Sequence, residues 1–361
     1  MTVLVTGFPG FIGGRLVQAL LEQDPKMRVA ALVEPRMADA AADAARRIGE
    51  ERIEVLVGDI ADRRLGLSDD DYERLAAETT AAYHLAAIYD LAVPLEVAQR
   101  VNVDGTGNVL AFCVRCKRLE RLHYVSTAYV AGVRTGVVYE HELELGQRFK
   151  NHYESTKFQA EVWVRQSMGR VPTTIYRPAI VVGDSRTGET QKFDGPYYML
   201  RVISLASRRH MPIPRFGRSE APFNVVPVDF VIRAMTEAGG DESLIGRTLH
   251  LVDPEPISAA HVFDLLAREY CGRPSSYRLP PGLIARALRL KAVRRLFSGA
   301  PGEGIRYLNH PVRFDTRQAT EALEPHGIRC PRLEEYVGPM VRFFREHEAD
   351  PAYGWGPFQP R

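Results

Sequence analysis

Short continuous apolar runs of β-type residues recur along the first half of the chain, at 3–5, 29–33, 53–57, 81–85, 122–125 and 173–176. Stretches with helical spacing of apolar positions separate them: 36–48, 70–78, 95–115 and 153–166, and one directly after the first run, where Ile12, Leu16 and Leu20 share a stripe with Val17 and Leu21. Strand and helix in strict alternation predict an α/β fold, a doubly wound parallel sheet with helices on both faces. Ligand then binds at the carboxyl ends of the strands.

The alternation stops after Gly183. Residues 184–196 are polar and glycine-rich and read as a loop. Residues 224–239 and 247–252 read as one more helix and strand returning to the sheet. From 256 onward the chain is helical and punctuated by proline, with an irregular tail over 350–361. The division expected is 1–182 plus 223–256 for the sheet domain, and 183–222 plus 257–361 for a smaller, mainly helical substrate lobe.

Composition narrows the class. A net charge of +2 over 361 residues gives no electrostatic footprint for nucleic acid. The first strand starts too early for a signal peptide and no apolar run reaches membrane-spanning length, so a cytoplasmic location is expected. Four cysteines are too few for a disulfide framework. Cys113 and Cys116 form a C-x-x-C on a helix, where packing is favoured over zinc binding, and no metal site is expected. Residues 280–297 form a basic amphipathic stretch. Its favoured reading is an ordinary helix of the substrate lobe; weak contact with a membrane surface or a carrier protein is the alternative.

Candidate chemistry begins at the first turn. Gly7, Gly10 and Gly13 lie between strand and helix, at spacings that allow a tight turn, close approach of a pyrophosphate and close packing of helix on strand. The helix N-terminus supplies N–H groups and a positive dipole end for the anion. Tyr153 and Lys157 are four apart on a helix and can face one pocket. A phenol with an ordinary pKa near 10 is a poor acid or base at neutral pH, and a neighbouring ammonium is expected to lower it. Ser126 and Thr127 end the run at 122–125, which sets two hydroxyls at a strand's carboxyl end.

These strings together resemble an extended short-chain dehydrogenase/reductase, of the epimerase/dehydratase superfamily. The matching segments are T-G-x-x-G-x-x-G from Thr6 to Gly13, Asp59 with Ile60, His84 to Ala87, Asn102 to Thr106, Val125 to Thr127, Tyr153 with Lys157, and Arg177 to Gly183. The resemblance implies a Rossmann-type sheet and hydride transfer to or from a nicotinamide. It implies Thr127 on the carbonyl oxygen, with Ser126 as the fallback, Tyr153 as general acid/base, and Lys157 tuning Tyr153 and binding the nicotinamide ribose. Gly7, Gly10, Phe11, Ile12 and Gly13 would hold the pyrophosphate. Asp59 and Ile60 would flank adenine, Leu85, Ala86, Ala87 and Asn102 would belong to the cofactor cleft, and Pro178, Ile180 and Val181 would sit near the carboxamide.

Three further strings, 84–91, 125–130 and 225–231, are similar to fatty-acyl-CoA reductases and carrier-protein thioester reductases. That branch implies a small-molecule or carrier-bound acyl substrate, an acyl thioester or a lipophilic aldehyde or ketone, and admits a homodimer. Glu34, just past the second strand, favours NAD(H); Arg36 could pair with a 2′-phosphate. NADP(H) is slightly favoured over NAD(H). Tyr89, Ser126, Tyr129, Lys192 and Phe193 are the substrate-contact candidates. Two alternatives stand beside the reductase: a nucleotide-sugar epimerase or dehydratase with tightly held NAD, and a non-catalytic dinucleotide sensor.

Overall fold

The computed structural model describes residues 1–90, 92–215, 220–278 and 307–353. The basic stretch at 280–297 and the end of the tail lie outside the described residues. Seven parallel strands form the central sheet: β1 (Thr2–Thr6), β2 (Arg28–Val33), β3 (Ile53–Val57), β4 (Thr79–His84), β5 (Arg121–Val125), β7 (Thr173–Pro178) and β11 (Thr248–Leu251). Their order is β11-β7-β5-β4-β1-β2-β3. The order reverses beside β1, so the loops after β1 and β4 diverge there and open a crevice at the carboxyl edge. This is the Rossmann-type α/β sheet expected.

Helices cover both faces. On one side lie α1 (Phe11–Gln23), α2 (Ala38–Ile48) and α8 (Val228–Thr236). On the other lie α3 (Asp69–Glu78), α5 (Gly105–Arg115) and α6 (His152–Ser167). Each face has its own apolar core, because strands buried on both sides present alternate residues to the two layers. Val3, Val5, Val29 and Ala31 pack with Leu16, Leu20 and Val231, whereas Leu4, Ala30 and Leu122 pack with Leu75, Phe112 and Val164. Cys113 and Cys116 are free thiols buried in that second core. Burial pushes Cys116 up to about 12, so it behaves as a small apolar residue.

The stretch expected as one helix over 95–115 has three parts. A short α4 (Leu95–Ala98) continues through a π-helical stretch, Gln99–Asp104, into α5. Wider turns of this kind recur at functional sites.

A third core gathers α7 (Tyr197–Arg208), α9 (Ala259–Cys271) and α11 (Leu333–His347) around Phe193, Phe263 and Phe344. A first correction is α7, a helix absent from the expected elements that follows the loop at 184–196: Met199, Leu200, Val202 and Ile203 give it a buried face. A second correction concerns 224–239, whose first residues form a strand, β10 (Val225–Pro227), parallel to β8 (Ile180–Val182). The pairs β6 (Gly136–Val138) with β13 (Val312–Phe314), and β9 (Pro214–Arg215) with β12 (Tyr277–Arg278), are also parallel. The short helix α10 (Arg317–Leu323), expected in the substrate lobe, packs Ala319 and Leu323 into the core of the sheet.

Candidate active site

A cavity of about 810 Å³ runs across the carboxyl edge of the sheet, from the loop after β2 to the helices of the third core. Its middle is the turn from β1 into α1. Gly7 has φ +92°, and a Cβ there would stand 3.0 Å from the Ala86 nitrogen. A Cβ on Gly13 would stand 2.4 Å from the Gly7 carbonyl oxygen. Only glycine lets the turn close this tightly and bring the start of α1 to the cavity wall. No side chain caps α1, so its first N–H groups remain available to an anion.

A buried polar chain fixes the opposite rim. Thr6 Oγ1 accepts from the Leu85 and Ala86 nitrogens, at 3.2 Å each, and contacts His84 Nδ1 at 2.8 Å. His84 Nε2 meets Thr106 Oγ1 at 3.0 Å, and Thr106 donates to the Asn102 carbonyl. Thr106 has already spent its proton, so His84 donates from Nε2 and accepts at Nδ1. Burial lowers His84 to about 3, which keeps it neutral.

At one end, Glu34, Arg36, Gly58 and Ile60 line the cavity, and Arg36 is ion-paired to Glu34. Phe11, Ile12 and Leu85 to Ala87 line the middle, with Pro178, Ile180 and Val181 further along. Two expected cofactor residues stand elsewhere. The Asp59 carboxylate accepts from the Ala61 nitrogen at 2.8 Å and pairs with Arg100 at 3.3 Å, and Asp59 is not among the residues lining the cavity. Asn102 is buried behind the wall. Its side chain accepts from the Ile88 nitrogen at 2.9 Å and donates to Thr156 Oγ1 at 3.0 Å, so it holds the loop after β4 in place.

Helix α6 starts at an Asn151 cap, whose side chain accepts from the Glu154 nitrogen at 2.9 Å. Its first turn brings Tyr153 to the cavity, and the next brings Lys157. Lys157 is buried; its Nζ donates to the Val125 carbonyl at 2.8 Å and lies 4.6 Å from the centre of the Tyr124 ring. Burial lowers Lys157 to about 7, against the opposing charge of Glu161.

Burial raises the Tyr153 phenol above its ordinary value, while a hydrogen bond with the Thr127 hydroxyl opposes the rise. Lys157, expected to lower that value, has its Nζ on the Val125 carbonyl at the end of β5.

Ser126 and Thr127 both border the cavity but differ in what they hold. Ser126 Oγ donates to Glu161 Oε2 at 2.5 Å. Glu161 is fully buried and also accepts from Arg177 Nη2 at 2.6 Å and Arg165 Nε at 3.1 Å. Thr127 Oγ1 accepts from the Tyr129 nitrogen at 3.3 Å and faces Tyr153. Glu161 was not among the expected residues, although Tyr153, Lys157 and Glu161 follow one another at intervals of four on one helix face.

Of the substrate-contact candidates, Tyr89, Tyr129 and Lys192 line the cavity, and the Tyr89 ring stands edge-on to Tyr153 at 5.2 Å. Phe193 does not. It is buried among Tyr197, Phe344 and Tyr353, and belongs to the third core. Asp194, Tyr198, Tyr307 and Leu308 line the same region and had no signal in short sequence strings. Among the described residues, no helix is long and apolar enough to cross a membrane.

The family model of the male sterility protein, an NAD-binding family, matches residues 5–235. An aldehyde reductase, lnaA, of Aspergillus flavus is 28% identical over 97% of the chain and 36% of its own length. The nonribosomal peptide synthetase FrzA of a Cladobotryum species is 27% identical over 92% of the chain and 35% of its own. The chain thus spans about a third of these relatives. Among solved structures, the terminal R domain of the myxalamid PKS-NRPS pathway superposes with a TM-score of 0.79 at 25% identity, covering 96% of this chain and 91% of that one. A UDP-glucuronic acid 4-epimerase of Bacillus cereus shares the fold, with a TM-score of 0.67 at 20% identity over 98% of this chain and all of that one. The chain belongs to the male sterility protein family, an NAD(P)-binding branch of the extended short-chain dehydrogenases/reductases.

Proposed function

We propose that this protein reduces an acyl thioester, or an aldehyde or ketone of similar lipophilic character, at the Thr127–Tyr153 edge of the cavity. The observation that carries the reading is one continuous cavity with the uncapped start of α1 in its middle and Thr127, Tyr153 and Lys157 among its lining residues. The residues present fit a nicotinamide dinucleotide. Gly7 and Gly13 leave room that a Cβ would fill, and Pro178 to Val181 form the wall beside Thr127. When bound, that cofactor supplies the hydride.

The chain's own residues do the rest. The first N–H groups of α1 hold the pyrophosphate, and Lys157 binds the nicotinamide ribose. Thr127 and Tyr153 donate to the carbonyl oxygen of the substrate, where negative charge develops during reduction. Tyr153 then delivers the proton to that oxygen. With a thioester, reduction of the carbonyl gives a hemithioacetal, which collapses to aldehyde and thiol. The likeness to aldehyde reductase lnaA, to the synthetase FrzA and to the myxalamid R domain supports a carrier-bound acyl group as the substrate form.

NADP(H) is the preferred cofactor in this reading. Arg36 stands beside Glu34 at this end of the cavity, where its guanidinium can exchange that carboxylate for a 2′-phosphate. Oxidation of NADPH and NADH, followed in parallel with a long-chain acyl-CoA, its aldehyde, a β-ketoester and a UDP-sugar, tests the proposal. Consumption with the thioester or aldehyde supports it. Stoichiometric bound NAD, with silence across the panel, would replace it by hydride-recycling sugar chemistry.

A further inference from the structure

Beyond Tyr153 the cavity changes character. Tyr89, Tyr129, Tyr198 and Tyr307 line it, together with the carboxylates of Asp90 and Asp194. The faces of two of these rings are already engaged. Lys150 lies 5.8 Å from the centre of Tyr129 and 5.0 Å from that of Tyr307, and is ion-paired with Glu154 at 3.1 Å. Tyr89 and Tyr198 are the other two, and the charge of Asp194 acts on both. Tyr89 in turn stands edge-on to Tyr153 at 5.2 Å, and both rings border the same cavity as Asp194.

We propose that Asp194, which lines this part of the cavity together with Tyr89 and Tyr198, is a subsite for an ammonium group carried by the acyl chain of the substrate. The inference rests on the carbonyl-reductase reading above and names its substrate class.

Three observations support it. Carboxylate and aromatic faces in one partly dehydrated pocket are the combination that binds ammonium ions, through Coulomb attraction and the ring quadrupole. A neutral acyl chain laid against Asp194 would strip water from a charge and return nothing. Lys192 lies 4.0 Å from Asp194, beyond hydrogen-bond distance, and its side chain is 39% exposed, so this pairing compensates little. Burial holds Asp194 up at about 6 although Lys192 and a backbone hydrogen bond oppose the rise, and a further cation beside it would lower that value. Asp90 contributes less, because its side chain accepts from the Ala92 nitrogen at 2.8 Å.

The test compares two aldehydes of equal shape, 3-(trimethylammonio)propanal and its carbon isostere 4,4-dimethylpentanal, with wild-type protein and Asp194→Asn. The wild type is expected to prefer the cation by about tenfold in kcat/KM, and the variant to bring that ratio near one. A wild-type ratio at or below one, or a preference that survives in Asp194→Asn, overturns the subsite. If neither aldehyde is reduced, the acyl-CoA panel above decides the reductase reading, and calorimetry with butyltrimethylammonium decides the subsite alone. Binding that Asp194→Asn weakens about tenfold supports it; equal binding, or none to the wild type, overturns it.

Discussion

Ser126 and Glu161 are joined by a 2.5 Å hydrogen bond across the buried face of α6, which ties the end of β5 to the helix that carries Tyr153. Two adjacent hydroxyls are thereby divided between structure and chemistry. Ser126→Ala removes one donor from a buried carboxylate and is expected to cost about 1–3 kcal/mol of stability, seen in urea unfolding. Thr127→Val is expected to leave the unfolding midpoint nearly in place and lower kcat about 10²-fold. A larger kcat loss in Ser126→Ala than in Thr127→Val would reverse the assignment.

Lys157 gives a pH signature in folding. Its folded-state value is about 7 against 10.5 in the unfolded chain. Between those values the unfolded chain holds a proton that the folded one does not, so stability rises with pH, by up to roughly 1.4 kcal/mol per pH unit. Below about 7 both states are protonated and the effect is flat. Urea unfolding without cofactor, at pH 6, 7.5 and 9, is expected to show wild type gaining on Lys157→Met only above neutrality. Parallel curves across that range would show that Lys157 titrates at its ordinary value.

Cofactor choice turns on the Glu34–Arg36 pair. Arg36→Ala is expected to lower kcat/KM for NADPH about tenfold, and more than for NADH, because a guanidinium–phosphate contact is lost. Equal losses with both cofactors would place Arg36 outside 2′-phosphate recognition.

The first turn has little tolerance. A Cβ at Gly13 meets the Gly7 carbonyl at 2.4 Å, so backbone must move. Gly13→Ala is expected to cost about 1–3 kcal/mol of stability and to weaken NADPH binding in a fluorescence titration. Unchanged affinity would mean that the dinucleotide does not approach this turn.

Much of this site was legible because its parts are local. A strand, a glycine turn and a helix lie within one short segment from Thr2 to Gln23, and Tyr153 and Lys157 are one helical turn apart. The sheet was legible because buried parallel strands are written as uninterrupted apolar runs. What escaped depends on distance along the chain. Tyr307 donates to Glu154 from 153 residues away, and no short string predicts that contact. Phe193, a substrate-contact candidate within the polar stretch at 184–196, is a core residue, because its partners Phe344 and Tyr353 come from the far end of the chain. Asp59 and Asn102 are at the expected sequence positions, but their side chains bond to backbone and neighbouring side chains instead of bordering the cavity. Helix α7 was hidden by the glycine and proline just ahead of it.

The central claim is that Tyr153 protonates a carbonyl oxygen during net reduction. The direct measurement follows NADPH oxidation and aldehyde formation together with a long-chain acyl thioester, for wild type and Tyr153→Phe. The wild type is expected to yield aldehyde, or the alcohol from its further reduction, in step with NADPH consumed. Tyr153→Phe is expected to bind NADPH while losing about 10²–10⁴-fold in kcat. Wild-type turnover retained in Tyr153→Phe, or no net NADPH consumption by either protein, would contradict the account.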